Sequence, residues 1–438
     1  MAGGTWTIQN KVRPGMYINF VGEGGPAGTA GERGVVTMGL PLSWGDSKKV
    51  MTISAGDDTS AVLGYDISNP QILLVREALK RAKTLLLYRL NTGTKATVAV
   101  SNLTATAKYG GTRGNDLSIV VQTNLDDNSK FDVKTLLSGE EVDSQTVSGI
   151  DELANNDWVD FSGAGTLTTT AGAPLTGGAN GTVTNQDHMD YLTAIEVFEF
   201  QTMALVSNDA TLKSLYKSFV ERLRDSEGRK VQVVVENYPA ADYEGIISVK
   251  NGVKLSDGTI IDSVKATVWV AAATAAAQVN QSLTYQAYDD AVDVDIRYTN
   301  SQIEAALLNG EFVFVQNNNR AIVEQDINSF KSFSPAKGKM FSKNRVIRVL
   351  DGIAVDFKNI FDLYYNGKVD NDADGRSTLW NEYITYLKSL QNINAVQNVN
   401  SETDVVVLPG EDSDSVYVEV SVQPVDSIEK VYTKVKVK

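Results

Sequence analysis

The residue best suited to acid–base work is His188, in the stretch NQDHMDY, and it is the only histidine in 438 residues. A catalytic histidine needs a nucleophile beside it and a carboxylate to orient it, and the sequence supplies neither at a telling spacing. Placed on the first turn of a helix, it reads as a surface or interface residue. Cysteine is absent, which removes thiolate nucleophiles, disulfides and cysteine-ligated metals together. No G-x-S-x-G elbow occurs, and no G-x-x-x-x-G-K-[ST] phosphate loop. The glycine clusters at 22–25 and 163–165 lack the strand–turn–helix setting of a dinucleotide site and read as loops. One segment does have metal-ligand spacing: Asp370, Asp372, Asp374 and Gly375 occupy positions 1, 3, 5 and 6 of an EF-hand-like loop. Position 12 is Asn381, with Glu382 one place late, so calcium affinity should be low. The better reading is a solvated turn between helices, in which Asp374 caps a helix starting at Arg376. No cofactor and no enzymatic activity are expected of such a chain.

What remains is a set of elements with little chemistry to position. At roughly 150 residues per domain the length suggests about three domains. A 42% hydrophobic and 21% charged composition is ordinary for a globular protein. The formal charge is −14, which argues against direct nucleic-acid binding. No apolar run approaches the ~18 residues of a membrane span. The start, MAGGTWTIQNKVRPG, has no apolar h-region, so no signal peptide is expected.

The hydrophobic patterns divide the chain. After the break at Arg13-Pro14-Gly15, the residues Met16, Ile18 and Phe20 alternate with Tyr17 and Asn19, which puts three apolar side chains on one face of an extended arm. Strand-like runs at 35–40, 85–90, 203–206 and 231–235 alternate with helical patterns. These begin at Pro70 and after the caps Thr184 and Asp209, implying a largely parallel sheet covered on both faces. Val268-Trp269-Val270 reads as a further strand feeding a helix over 271–279, and 312–316 and 321–324 close the region. Between the halves, 97–182 is rich in Thr, Ser, Gly and Asn, with short strands and turns suited to a β-sandwich or barrel. It carries four basic and eleven acidic residues, half of the net charge. Lys337, Lys339, Lys343, Arg345 and Arg348 then form a basic run, and amphipathic helices are expected near 344–365 and 376–390. The last residues alternate again, with Val431, Thr433, Val435 and Val437 on one face and Tyr432, Lys434 and Lys436 on the other. Such a strand must lie at a sheet edge or pair with something else.

Several segments, taken in order, carry a resemblance. They include RPGMYINF (13–20), TAKYGGTRGNDLSIVV (106–121), EGIISVKNGVKLSDG (244–258), WVAAATAAAQVNQSLTY (269–285) and VEQDINSF (323–330). NRVIRVLDGIAVDF (344–357), YNGKVDNDADGR (365–376) and VQPVDSIEKVYTKVKV (422–437) follow. Together they make the chain resemble contractile-tail sheath proteins of myophages and defective prophages of Gram-positive bacteria, over nearly its whole length.

That resemblance implies a multidomain α/β fold. An N-terminal arm (1–24) precedes a middle, subtilisin-like α/β domain (25–96 and 183–334), into which an outer β-domain (97–182) is inserted. An inner α+β domain (335–424) and a C-terminal arm strand (425–438) complete it. It also implies a structural subunit of the virion tail, assembled in the host cytoplasm. Such subunits form stacked hexameric rings around a tail tube and contract from a metastable state to drive the tube through the host envelope. The implied partners are further copies of the chain, the tail tube, and baseplate and terminator proteins. Met16, Tyr17, Ile18 and Phe20, with Val431, Tyr432, Thr433, Val435 and Val437, would exchange strands between subunits. Asp356, Asp362, Asp370 and Asp372 would face the tube, and the basic run would meet acidic surface on a neighbour. A β-rich surface adhesin would need an export signal, and an intracellular α/β hydrolase would need a nucleophile–base pair.

Overall fold

The computed structural model describes Ala2–Gly4, Gly15–Tyr17 and residues 33–437. It is a multidomain α/β structure of two compact units, Gly31–Val355 with Pro424–Lys438, and Met1–Ala30 with Asp356–Gln423.

The larger unit is built on a seven-stranded sheet. Its spatial order is Glu311–Phe312, Ile246–Val249, Gln232–Glu236, Thr202–Ala204, Val35–Leu40, Thr84–Arg89 and Val50–Ser54. All neighbours run parallel except Val50–Ser54, which pairs antiparallel with Thr84–Arg89. Both faces are covered, so the strands read as continuous apolar runs. Val36, Met38, Leu85 and Leu87 point into one apolar cluster, beneath the helices Leu73–Leu79 and Ser263–Ala276. Leu86, Tyr88, Met203 and Val233 point into the other, beneath Asn185–Ile195 and Ala210–Glu221. Both helix starts anticipated on that face are found: Asp187 accepts from Thr184 N at 2.6 Å, and Asp209 accepts from Leu212 N at 2.9 Å.

Val268-Trp269-Val270 is not a strand. It lies inside Ser263–Ala276, whose N-cap Asp262 accepts from Lys265 N at 2.9 Å. Every side chain from Ala266 to Ala275 is buried, so the helix is apolar all round and shows no 3.6-residue period. Tertiary burial and the alanines outweigh the local β-preference of Val and Trp.

Residues 97–174 form two sheets around one apolar cluster. One sheet orders Glu140–Val147, Phe131–Leu137, Leu117–Thr123 and Thr170–Pro174; the other orders Val159–Gly163, Leu103–Ala107 and Thr97–Val100. Trp44, from outside the insertion, joins this cluster against Tyr109 and Trp158. The junction is backbone-tight: a Cβ on Gly181 would stand 1.6 Å from the Thr92 carbonyl oxygen. Arg89, 1% exposed, ties the sheet to the junction by donating to the Gly45 and Gly110 carbonyls at 2.7 and 2.6 Å.

The helix Asn344–Ile360 begins in the larger unit, where Arg224 holds Asp351 through two hydrogen bonds of 2.8 Å. The smaller unit begins at Asp356 on the same helix. There Phe357 stacks on Tyr383 of the helix Ala373–Asn392, centroids 3.9 Å apart, and the Trp380 indole donates to the Val405 carbonyl. A hairpin, Val405–Pro409 paired with Val416–Val420, completes it. The cap of the second helix differs from expectation. Asp372, not Asp374, accepts from Gly375 N at 2.7 Å, and the helix starts at Ala373 rather than Arg376.

Candidate assembly interface

Pro424–Lys438 return to the larger unit, and Glu429 is the side chain that holds them most firmly, with a longer Asp426–Lys343 ion pair of 3.9 Å beside it. The Glu429 carboxylate accepts from Thr284 Oγ1 at 2.9 Å and from Gln325 Nε2 at 2.6 Å, and pairs with Lys343 Nζ. Thr284 Oγ1 is itself oriented, because it accepts from Asp326 N at 3.0 Å. Burial disfavours the charged form of Glu429, and the donors Lys343, Gln325 and Thr284 outweigh it, so its pKa lies below the ordinary glutamate value. Around this anchor the pattern inverts. Ile428 is 89% exposed while the neighbouring carboxylate points inward. Beyond it, Val431, Tyr432, Val435 and Val437 are all exposed, Val437 at 95%. Residues 431–437 pair with no other strand among the described residues. Four large apolar side chains left uncovered within seven residues are an interaction surface in search of a partner.

At the other end, Gly15–Tyr17 pairs in parallel with Ala2–Gly4, setting Gly3 opposite Met16 and Gly4 opposite Tyr17. Ile18 and Phe20 lie outside the described residues.

The basic run is not a free patch. Lys337 pairs with Glu244, Lys343 with Glu429, and Arg348 with Asp326 at 3.2 Å. Only Lys339 is fully exposed, and Arg345 is half-buried. The run looks one-signed in sequence because its acidic partners come from three distant segments. Asp356 is also corrected: it is buried, and its carboxylate accepts from Tyr386 Oη at 2.7 Å. Asp362, Asp370 and Asp372 are exposed, though Asp372 is engaged as the helix cap. Among the described residues no three acidic or histidine side chains converge on a metal position. His188 is neither surface nor interface. It is buried with Nδ1 2.8 Å from Tyr216 Oη, and burial lowers its pKa despite the nearby charges of Asp187 and Asp209.

The sequence reading missed two exposed apolar features. Phe361, Leu363 and Tyr364 are uncovered where the helix Asn344–Ile360 passes into a π-turn, Phe361–Tyr365. The wider turn rotates side chains off the amphipathic stripe, which a strict 3.6-residue period cannot foresee. Leu408 and Tyr417 are exposed on the hairpin at 405–420. Its signal was present as two β-rich runs flanking the polar stretch GEDSDS.

Four family models match in colinear order: the Gp18 tail sheath protein domain III N-terminal region (33–90), the phage tail sheath protein beta-sandwich domain (91–180), the phage tail sheath protein central domain (181–329) and the phage tail sheath C-terminal domain (336–438). The chain belongs to the phage tail sheath protein family. The phage-like element PBSX protein XkdK of Bacillus subtilis is 38% identical over the whole of both chains. The sheath tail protein of Desulfitobacterium hafniense is 59% identical, covering 97% of this chain and all of its own, with a TM-score of 0.89. That of Listeria innocua is 41% identical over 92% and 95% of the two chains, with a TM-score of 0.79. The chain is thus a tail sheath protein of a phage or prophage-like contractile system, a structural component and not an enzyme. No helix among its described residues is long and apolar enough to cross a membrane.

Proposed function

We propose that this sheath protein polymerises as stacked six-fold rings around a tail tube and that neighbours are tied by exchanged strands. The observation that carries the reading is the arm beyond Glu429, anchored at one point and apolar, exposed and unpaired thereafter. Val431, Thr433, Val435 and Val437, with Tyr432, add a strand to the sheet of a neighbouring subunit, and Met16, Tyr17, Ile18 and Phe20 serve the same exchange from the N-terminal arm. The hairpin at 405–420 suits the receiving role, since a two-stranded sheet leaves free edges. Backbone ladders keep neighbours joined while side-chain contacts between rings reorganise, which is what contraction from a metastable extended lattice demands.

In this reading the arms are 1–24 and 425–438. The parallel sheet of 25–96 and 183–334 is a subtilisin-like middle domain, in architecture alone. Residues 97–182 face outward, and 335–424 form the inner domain. Asp362 and Asp370 are the acids available to the tube, together with exposed Phe361, Leu363 and Tyr364. Lys339 is the member of the basic run most open to a neighbouring copy. Baseplate and terminator proteins bound the polymer, and the subunit reaches the virion tail after assembly in the host cytoplasm.

The test is deletion of Lys430–Lys438, which keeps the Glu429 anchor. Incubated with purified tail tube protein and viewed by negative-stain electron microscopy, the truncated chain should stay folded and form no tubes. Wild-type assembly by this variant refutes strand exchange.

A further inference from the structure

The arm carries one more piece of information, and it concerns phase. A strand's side chains alternate, so shifting it by one residue turns its whole apolar stripe to the other face. A tethered strand must therefore be held at a defined residue if a defined face is to meet the receiving sheet. From Asp426 to Val437, Glu429 is the residue whose side chain is held inward by three donors. Those donors come from segments fixed elsewhere in the larger unit. Thr284 is oriented by Asp326 N, Lys343 directly precedes the helix Asn344–Ile360, and Gln325 adjoins Asp326, which is itself buried against Arg348 and Asn344. A carboxylate is costly to bury, and a segment needing only a loose tether would turn Ile428 inward and leave the acid in water. Here Ile428 is 89% exposed and the acid is inside.

We propose that Glu429 is the positioning residue of strand exchange: its clasp fixes where the arm leaves the body and which face the arm presents. Resting on the strand-exchange reading above, this adds a parity rule. Counting in twos from Glu429 reaches Val431, Thr433, Val435 and Val437, the apolar stripe, while Lys430, Tyr432, Lys434 and Lys436 fall on the opposite face. The eight residues from Lys430 to Val437 span about 26 Å when extended, so little slack separates the clasp from the paired segment.

The rule makes a parity experiment available on the full-length chain with purified tail tube protein. One alanine inserted between Lys430 and Val431 inverts the phase, whereas two alanines restore it with slightly more slack. We expect the single insertion to lower the sedimentable, tube-forming fraction about tenfold, and the double insertion to recover most of it. In an E429A background the clasp is gone, and the two insertions should behave alike. Unchanged circular dichroism and urea unfolding of each variant establish that folding is intact. If single and double insertions assemble equally well with Glu429 in place, the clasp does not set the phase and the inference is wrong. The two readings fail separately: assembly by the Lys430–Lys438 deletion removes strand exchange itself. A truncation that fails beside insertions that assemble alike removes only the parity rule.

Discussion

Replacing Arg348 by alanine tests whether the basic run serves the subunit's interior or a neighbour. The Arg348 and Asp326 side chains are each 1% exposed, and Nη2 donates to Oδ2 at 3.2 Å. Removing one partner of a buried ion pair costs about 3–5 kcal/mol, because the other charge is left without compensation. Asp326 would keep two donors, Asn344 Nδ2 at 2.9 Å and Leu283 N at 3.0 Å, which places the loss near the lower end, ~3 kcal/mol. At ~1.4 kcal/mol per decade this is about a hundredfold in the unfolding equilibrium constant. Lys339→Ala, at an exposed position, should stay within about 0.5 kcal/mol. Urea unfolding followed by pulse proteolysis reads both variants, because cleavage reports the population of the opened chain. The reasoning is refuted if R348A unfolds like the wild type yet cannot form tubes. Its guanidinium would then belong to a contact between subunits and not to the clasp on Asp326.

Three further outcomes are expected. Burial lowers the His188 pKa in the folded chain, so the neutral form's stability is fully present above the ordinary value of 6.5 and is lost as the pH falls through the lowered one. Urea unfolding between pH 7 and 5 should show this decline, and the part of it lost in His188→Gln belongs to the chain's one histidine. Asp372→Ala should destabilise the smaller unit by about 1 kcal/mol through loss of the Gly375 N cap, while Asp374→Ala stays within about 0.5 kcal/mol in the same thermal melts. Gly181→Ala drives a Cβ against the Thr92 carbonyl oxygen and should cost about 1–3 kcal/mol, read as a lowered midpoint of thermal unfolding.

Much of the fold was legible where local rules agree with tertiary ones. Val35–Leu40 was placed to the residue because a parallel strand covered on both faces is a bounded apolar run. The helices after Thr184 and Asp209 were legible because a cap is local chemistry, made within three residues. The helix Ser263–Ala276 was half-missed because a helix buried on every side carries no amphipathic signal, leaving Val-Trp-Val to suggest a strand. At the interface, the terminal alternation named the residues of the arm, but it gave no sign that Glu429 fastens it.

By itself the sequence determined the lack of cysteine, phosphate-loop and nucleophile-elbow motifs, the alternation of strand and helix, the acidic β-rich insertion and the ordered set of segments that marks a sheath protein. These are properties of composition and short-range period, and they survive without coordinates. Only the tertiary structure decided which charges are free. Lys337, Lys343, Arg348 and Asp356 look like surface in sequence and are engaged by Glu244, Glu429, Asp326 and Tyr386, each more than 20 residues away. The physical reason is that an ion pair or buried hydrogen bond depends on distance in space. Chain order says almost nothing about which carboxylate the fold will bring to a given cation.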